Sequence, residues 1–314
     1  MDEIENRIEY SNKVLASLRD TLQRDLSQYE KDITVVATGS FGRKEASSES
    51  DLDWFVVSSK KLEERVEKTI LNTISHYVNK FVNNNHGDTK TFGEVVDRSH
   101  LLENFGGDKE QNQDLTRRML YLLESTHLLN ENLHLEIKKS ILEKYIKNSV
   151  SDSSINRFML NDTIRYYRTI CTDYEYKVHE DGKSIGVRKI KLRFSRKLLY
   201  FSGLITIAST ASLSRDKKIE ETLFLLDKTP LERTIEILGD DSTRCLRDYY
   251  SKFLEEISKR EVREALDNFD SANRESKKEY KDLRNLSQHF NWELEKCFSI
   301  QFPPSHPIHP SMIF

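Results

Sequence analysis

Three observations predict an α+β fold, with a small N-terminal α/β domain followed by a larger all-helical one. Glycine and proline are scarce, at ten and five residues in 314, against usual shares of about 7% and 5%. That scarcity favours helix and argues against a sandwich or barrel needing a turn breaker about every ten residues. The β-like runs lie early, where six of the ten glycines fall between Gly39 and Gly107. From about Asn112 the pattern is helical almost to Phe298, with no internal repeat and no low-complexity linker.

Each element has its own signal. Ile4, Ile8, Leu15, Leu18, Leu22 and Leu26 recur at helical spacings and predict an amphipathic helix over 4–30. The run from Ile33 to Ala37 reads as a strand entering Thr38-Gly39-Ser40, and Leu52 to Val57 reads as a second strand beyond a polar loop. A helical pattern fills 61–83, and Lys90 to Val96 reads as a third strand. LTRRMLYLLESTHLL, residues 115–129, opens the helical region with Leu120, Leu123 and Leu128 as its core stripe and Arg117-Arg118 as a surface flank. PPSHPIHPSMIF holds four of the five prolines and reads as an extended tail. The expected division is 1–110 for the α/β domain, 111–302 for the helical domain and 303–314 for the tail, with the crossing between 108 and 150.

Composition excludes several classes. There are 49 Lys+Arg against 52 Asp+Glu, a net charge of −3, so attraction to nucleic acid or membrane would need a local patch. Cys171, Cys245 and Cys297 are odd in number and far apart, which indicates neither a disulfide framework nor a zinc site and suits reduced thiols. The N-terminus is charged from its second residue, unlike a signal peptide. The longest apolar stretch, Leu198 to Ala208, is about half of the roughly 20 residues a membrane span requires. The expected location is cytoplasmic.

The chemistry concentrates in VVATGSFGRKEASSESDLDWFVV, residues 35–57. Residues i and i+2 of a strand share a face, so Asp51 and Asp53 project together while Leu52 and Trp54 point the other way. Two adjacent carboxylates repel unless a positive charge lies between them, and their oxygens suit Mg²⁺, which is usually held by one or two carboxylates plus substrate phosphates. Gly39 permits close approach of a phosphate, and the Ser40 hydroxyl with nearby amides can hydrogen-bond it.

Gly39-Ser40 followed by Asp51-Leu52-Asp53-Trp54 resembles the signature of the DNA polymerase β-like nucleotidyltransferase superfamily, although Thr38 is a less apolar residue before the glycine than the signature carries. GSFGRKE with SDLD, including Arg43 and Glu45, looks most like the branch near PII uridylyltransferases. The resemblance implies a two-metal mechanism using Mg²⁺ or Mn²⁺ and three carboxylates. Asp51 and Asp53 would be two of them, and Glu94 in TKTFGEVVD is the candidate third, with Asp97 and Asp88 as rivals. It also implies nucleotide contacts from Gly39, Ser40 and Arg43.

A basic run, Lys183 to Lys197, carries seven basic residues and no acid. On a helix, Lys189, Arg193, Arg196 and Lys197 form one face and Ile190, Phe194, Leu198 and Phe201 an apolar one; upstream, Arg157, Asn161, Arg165 and Arg168 make a polar stripe. In the resembled superfamily the helical domain commonly supplies a basic residue and a hydroxyl to the triphosphate, and Lys191, Ser195, Arg196 and Lys197 are the matching positions here. A solvated basic face and a nucleic-acid groove are the competing readings.

The resulting expectation is a metal-dependent nucleotidyltransferase moving a nucleoside monophosphate, AMP from ATP being favoured, to an acceptor hydroxyl with release of pyrophosphate. The acceptor is open among a protein, an RNA 3′ end and a small molecule. The alternatives are a nucleotide-binding regulatory module without turnover, and a ribonuclease or toxin-system component resembling HEPN domains through Arg284 and His289.

Overall fold

The structure, a computed structural model, describes residues 2–82, 92–147, 154–179, 185–268 and 278–313. Two compact units emerge, one of Glu5–Ser149 with Arg215–Thr229 and one of Met1–Ile4 with Val150–Ser214 and Pro230–Phe314. The first unit's main segment ends at Ser149, within the expected crossing between 108 and 150, and the unit takes back a helix from beyond position 214. Its extra residues are recruited by packing across the chain, which no local pattern records.

The first unit is built on a four-stranded sheet of β1 (Ile33–Thr38), β2 (Asp53–Ser58), β3 (Val95–Asp97) and β4 (Thr126–Leu129), in the order β3-β2-β1-β4. β1 is antiparallel to β2 and β4, with Thr38 opposite Asp53 and Ala37 opposite Trp54, while β2 and β3 run parallel. Every residue of β1 is buried, as is β2 after Asp53, which is the pattern of strands covered on both faces.

α1 (Glu3–Leu26) and α3 (Glu64–Phe81) cover one face, where Leu15, Leu18, Leu22, Ile70 and Ile74 share a core with Val35, Leu52, Trp54 and Val56. On the other face, Tyr121 of α5 (Asn112–Glu124) packs against Phe55, and α6 (Glu131–Tyr145) follows β4. The short α2 (Gly39–Gly42) caps β1, and α4 (Ser99–Leu102) follows β3. The helix over 215–227, α10 in chain order, joins this unit, where its Leu226 carbonyl accepts from the buried Lys138 ammonium at 3.2 Å.

Two sequence readings are corrected here. The helix read through 115–129 stops at Glu124, and Thr126–Leu129 is the strand β4; its pairing partner, β1, lies about 90 residues earlier, so the apolar run alone could not reveal it. Arg117 and Arg118 are buried rather than a surface flank; they pair with Glu94 and Glu110 respectively. The third strand is shorter than expected, Val95–Asp97, and Lys90 and Thr91 lie outside the described residues.

The second unit is helical throughout its described residues: α7 (Arg157–His179), α8 (Ile185–Arg193), α9 (Ser195–Ser209), α11 (Pro230–Leu238), α12 (Arg244–Ser258), α13 (Arg260–Asp267), α14 (Lys278–Gln301) and α15 (Ile308–Ile313). The basic run is not one helix, since the chain breaks at Phe194. That ring stacks on Phe253 with centroids 4.3 Å apart and sits 5.2 Å from Phe290, so core packing of the break residue outweighs helix continuity. Ile190, Phe194, Leu198 and Phe201 are all buried, as the apolar face requires. The expected extended tail carries α15; Pro310 stands in its first turn, where a missing N–H costs nothing. No helix among the described residues is long and apolar enough to cross a membrane.

Candidate active site

The register of β1 and β2 builds the site. Thr38 ends β1 opposite Asp53, the first residue of β2, and the Thr38 Oγ1 lies 3.4 Å from the Asp53 carbonyl oxygen. The chain then turns at Gly39 with φ of +65°, a conformation that strains any side-chain-bearing residue. A Cβ placed there would stand 2.7 Å from Asp53 Oδ2. Gly39 is thus required twice, by its backbone angle and by the carboxylate lying directly over the turn. Leu52 and Trp54 are fully buried while Asp51 and Asp53 are half-buried, so the alternation read from the sequence holds.

Gly42 locks the same turn from behind. A Cβ on it would meet the Glu124 carbonyl oxygen at 2.0 Å and the Ala37 carbonyl oxygen at 3.1 Å, so only glycine lets α2 press against the end of α5. The fourth residue of GSFG was not read as functional; its position in the motif was the available signal.

Arg43 does not face an open cleft. Its guanidinium is buried, donating through Nε to Glu45 at 2.9 Å and through Nη1 to Glu124. Both acids are themselves buried, and Arg7 adds a bond to the Glu45 carbonyl oxygen at 3.1 Å. Arg43 holds the loop between Gly42 and Ala46 to α1 and α5, a structural role in place of the expected nucleotide contact.

The three candidates for a third carboxylate separate by strand geometry. Val56 pairs with Val95 and Ser58 with Asp97, so the alternation puts Asp97 on the face opposite Asp53. Asp97 accepts from the Ser99 amide at 2.8 Å, and this bond holds its carboxyl below the usual range; it caps α4. Asp88 lies outside the described residues. Glu94 extends the β3 ladder, its carbonyl accepting from Val56 at 3.0 Å, and alternation sets it on the Asp53 face. Its side chain, 41% exposed, is engaged by Arg117 and by Gln113 at 3.4 Å. Among the described residues no three carboxylate, histidine or cysteine side chains converge as a metal-binding group. Glu94 is therefore not assembled with Asp51 and Asp53, because a guanidinium claims it.

The two aspartates still fit a cation that arrives with a triphosphate. Such an ion needs only one or two protein carboxylates and takes its other oxygens from phosphate and water. The Asp53 carboxylate lies against Gly39, so close that a Cβ there would clash with it.

The residues expected from the helical domain all belong to the second unit. Ser195 is buried and accepts from the Tyr250 hydroxyl at 3.1 Å, so its hydroxyl is part of the core and not a phosphate contact. Lys197 donates to Asn291 Oδ1 at 2.8 Å. Lys191 lies on α8 and Arg196 in the first turn of α9, both half-buried. Arg284 and His289 lie on the uninterrupted α14, both exposed, with His289 stacked on Tyr249 at 5.7 Å. Five residues along a continuous helix place them about 140° apart, so no kink brings them into one pocket.

Residues 19–155 match the family model of the nucleotidyltransferase domain. This segment, which contains Gly39, Ser40, Asp51 and Asp53, is a nucleotidyltransferase domain of the DNA polymerase β-like superfamily. Its chemistry is nucleotidyl transfer from a nucleoside triphosphate, which such domains generally perform with divalent metals. Comparison with curated proteins finds no match.

Proposed function

We propose that the protein transfers a nucleoside monophosphate, with AMP from ATP favoured, to an acceptor hydroxyl. The observation that carries the proposal is the Asp53 carboxylate set directly over the positive-φ Gly39, in a segment matching the nucleotidyltransferase domain. Asp51 and Asp53 would hold a Mg²⁺ or Mn²⁺ ion that arrives with the triphosphate. When bound, that ion neutralises phosphate charge and favours the ionised acceptor oxygen. Gly39 gives the phosphates close access, and Ser40 orients them by hydrogen bonding. The acceptor oxygen forms a bond to the α-phosphorus, the bond from that phosphorus to the bridging oxygen breaks, and pyrophosphate leaves with the electron pair. The hydroxyl proton passes to solvent.

A second reading, nucleotide binding without turnover, draws on the engagement of Glu94 by Arg117. One experiment separates the two. The chain is incubated with each α-labelled nucleoside triphosphate and Mg²⁺ or Mn²⁺, with and without cell lysate, while pyrophosphate and labelled products are followed. Transfer predicts pyrophosphate release matched by a labelled acceptor; retention of intact triphosphate with no pyrophosphate defeats it in favour of the second reading.

A further inference from the structure

The second unit contains a pair of cations that, among the described residues, make no ion pair. Arg193 closes α8 and Lys197 stands in the first turn of α9, either side of the break at Phe194. Arg193 Nη1 reaches Ser287 Oγ at 3.4 Å, and Lys197 Nζ reaches Asn291 Oδ1 at 2.8 Å. Both partners are neutral, and among the described residues neither cation has an ion pair. Arg193 Nε is buried with no hydrogen-bond partner. Burial first, then the charge of Arg193, pushes the Lys197 ammonium downward, and Glu295 opposes this only from a distance. A buried donor left unmet beside two like charges is costly unless an anion completes the group.

Aromatic rings adjoin the pair. Tyr167 of α7 and Tyr200 of α9 stack with centroids 4.6 Å apart and planes at 17°, both half-buried. Arg193 acts electrostatically on Tyr167, and the exposed Arg168 acts on Tyr200. Trp292, next in the chain to Asn291, is 64% exposed. From Ile185 to Ser209 there are six Lys or Arg residues and no acid. Cations bracketing stacked aromatic rings suit a strand that offers phosphates and base faces alternately.

We infer that Arg193 and Lys197, with Asn291, Tyr200 and Trp292, form a binding site for single-stranded nucleic acid, Arg193 and Lys197 taking a backbone phosphate and the aromatic rings stacking bases. The site names the acceptor class, and it rests on the transferase reading for the strand's role as acceptor but not for its binding. Lys197 accordingly contacts the acceptor and not the triphosphate.

Binding is therefore measured on a full-length Asp51→Ala/Asp53→Ala chain, in which transfer plays no part. The probe is a fluorescein-labelled single-stranded RNA on the order of ten nucleotides, followed by anisotropy at several salt concentrations. Arg193→Ala and Lys197→Ala should each weaken binding about tenfold and lower the salt slope by about 0.7 per lost phosphate contact. Arg193→Lys and Lys197→Arg should keep the salt slope of the parent, because they keep the charge that meets the phosphate. Trp292→Ala, a surface change that spares folding, should weaken binding about tenfold and leave the salt slope unchanged. Excess ATP should not compete. The inference is overturned if the double variant does not bind RNA, if the alanine variants bind like the parent, or if ATP displaces the strand.

Discussion

The buried arginines of the first unit and the half-buried Arg193 and Lys197 of the second have partners of different kinds. In the first, Arg43 is met by Glu45 and Glu124, Arg117 by Glu94, and Arg118 by Glu110 under the ring of Phe105 at 3.9 Å. In the second, Arg193 and Lys197 have a serine and an asparagine. A buried cation closed off by carboxylates is part of the scaffold, whereas one left with neutral partners keeps its charge available for a ligand. The comparison reverses the expectation for Arg43, which lies inside the signature yet serves the fold. It also gives weight to Arg193, which the basic run contained but the candidate set omitted.

The largest effect should come from Asp51 and Asp53, the acidic pair that strand alternation sets on one face. Asp51→Ala and Asp53→Ala should each lower nucleotidyl transfer by more than roughly a thousandfold, about 4 kcal/mol in the barrier. Their urea midpoints should stay close to the parent's, because half-buried carboxylates contribute little packing. Near-normal pyrophosphate release from either variant would remove the site from this strand.

Arg43→Ala tests the scaffold side of the contrast. Removing the guanidinium takes a charged partner from the buried Glu45 and Glu124, and the expected loss is about 3–5 kcal/mol of unfolding free energy. Transfer per folded molecule should be retained at temperatures where the variant is folded. A stable variant with a raised Michaelis constant for triphosphate would instead return Arg43 to the nucleotide.

Glu94→Gln sharpens the same line at lower cost. With Arg117 holding its carboxylate, the change should reduce transfer by less than about tenfold, and the measured quantity is kcat at saturating Mg²⁺. A loss equal to that of the aspartate variants would show that Glu94 leaves Arg117 during turnover and completes a three-carboxylate set.

How far this was legible depends on the range of the interactions involved. The strand, Gly39-Ser40 and Asp51 with Asp53 could be read because glycine conformation and strand alternation are local properties. The burial of Leu52 and Trp54 followed from the same period of two. β4 was hidden because Thr126–Leu129 is apolar enough to continue a helix, and only its pairing with β1 makes it a strand. The break at Phe194 has no glycine or proline to announce it; its ring is held in the core by two aromatic partners, Phe253 and Phe290. Recruitment of 215–227 to the first unit depends on Lys138 and Arg215 finding carbonyl oxygens far along the chain, at Leu226 and Ile146. Strand position sets Glu94 on the Asp53 face, but its partner Arg117 lies 23 residues later on a helix.

A buried histidine in the first unit gives the smallest and most specific prediction. His134 is almost fully buried, with Nε2 at 2.8 Å from Ser125 Oγ. The Ser125 hydroxyl proton is committed to the Tyr121 carbonyl oxygen, so Ser125 accepts and the imidazole carries its proton on Nε2. Nδ1 is then a buried acceptor without a partner, and protonating it would add an unmet donor. Burial, followed by the charges of Lys138, His127 and Arg19, holds this group well below the ordinary histidine value. The unfolded chain binds that proton at about pH 6.5 and the folded chain does not, so the contribution is complete above pH 6.5. It is lost as pH falls toward the folded value, by up to about 1.4 kcal/mol per pH unit. His127 and His306 are also held low and add to the slope in the same direction. The difference between parent and His134→Gln isolates the one residue: urea unfolding free energy plotted from pH 7.5 to 5.5 should fall less steeply in the variant, and parallel curves would mean that His134 is charged in the native fold.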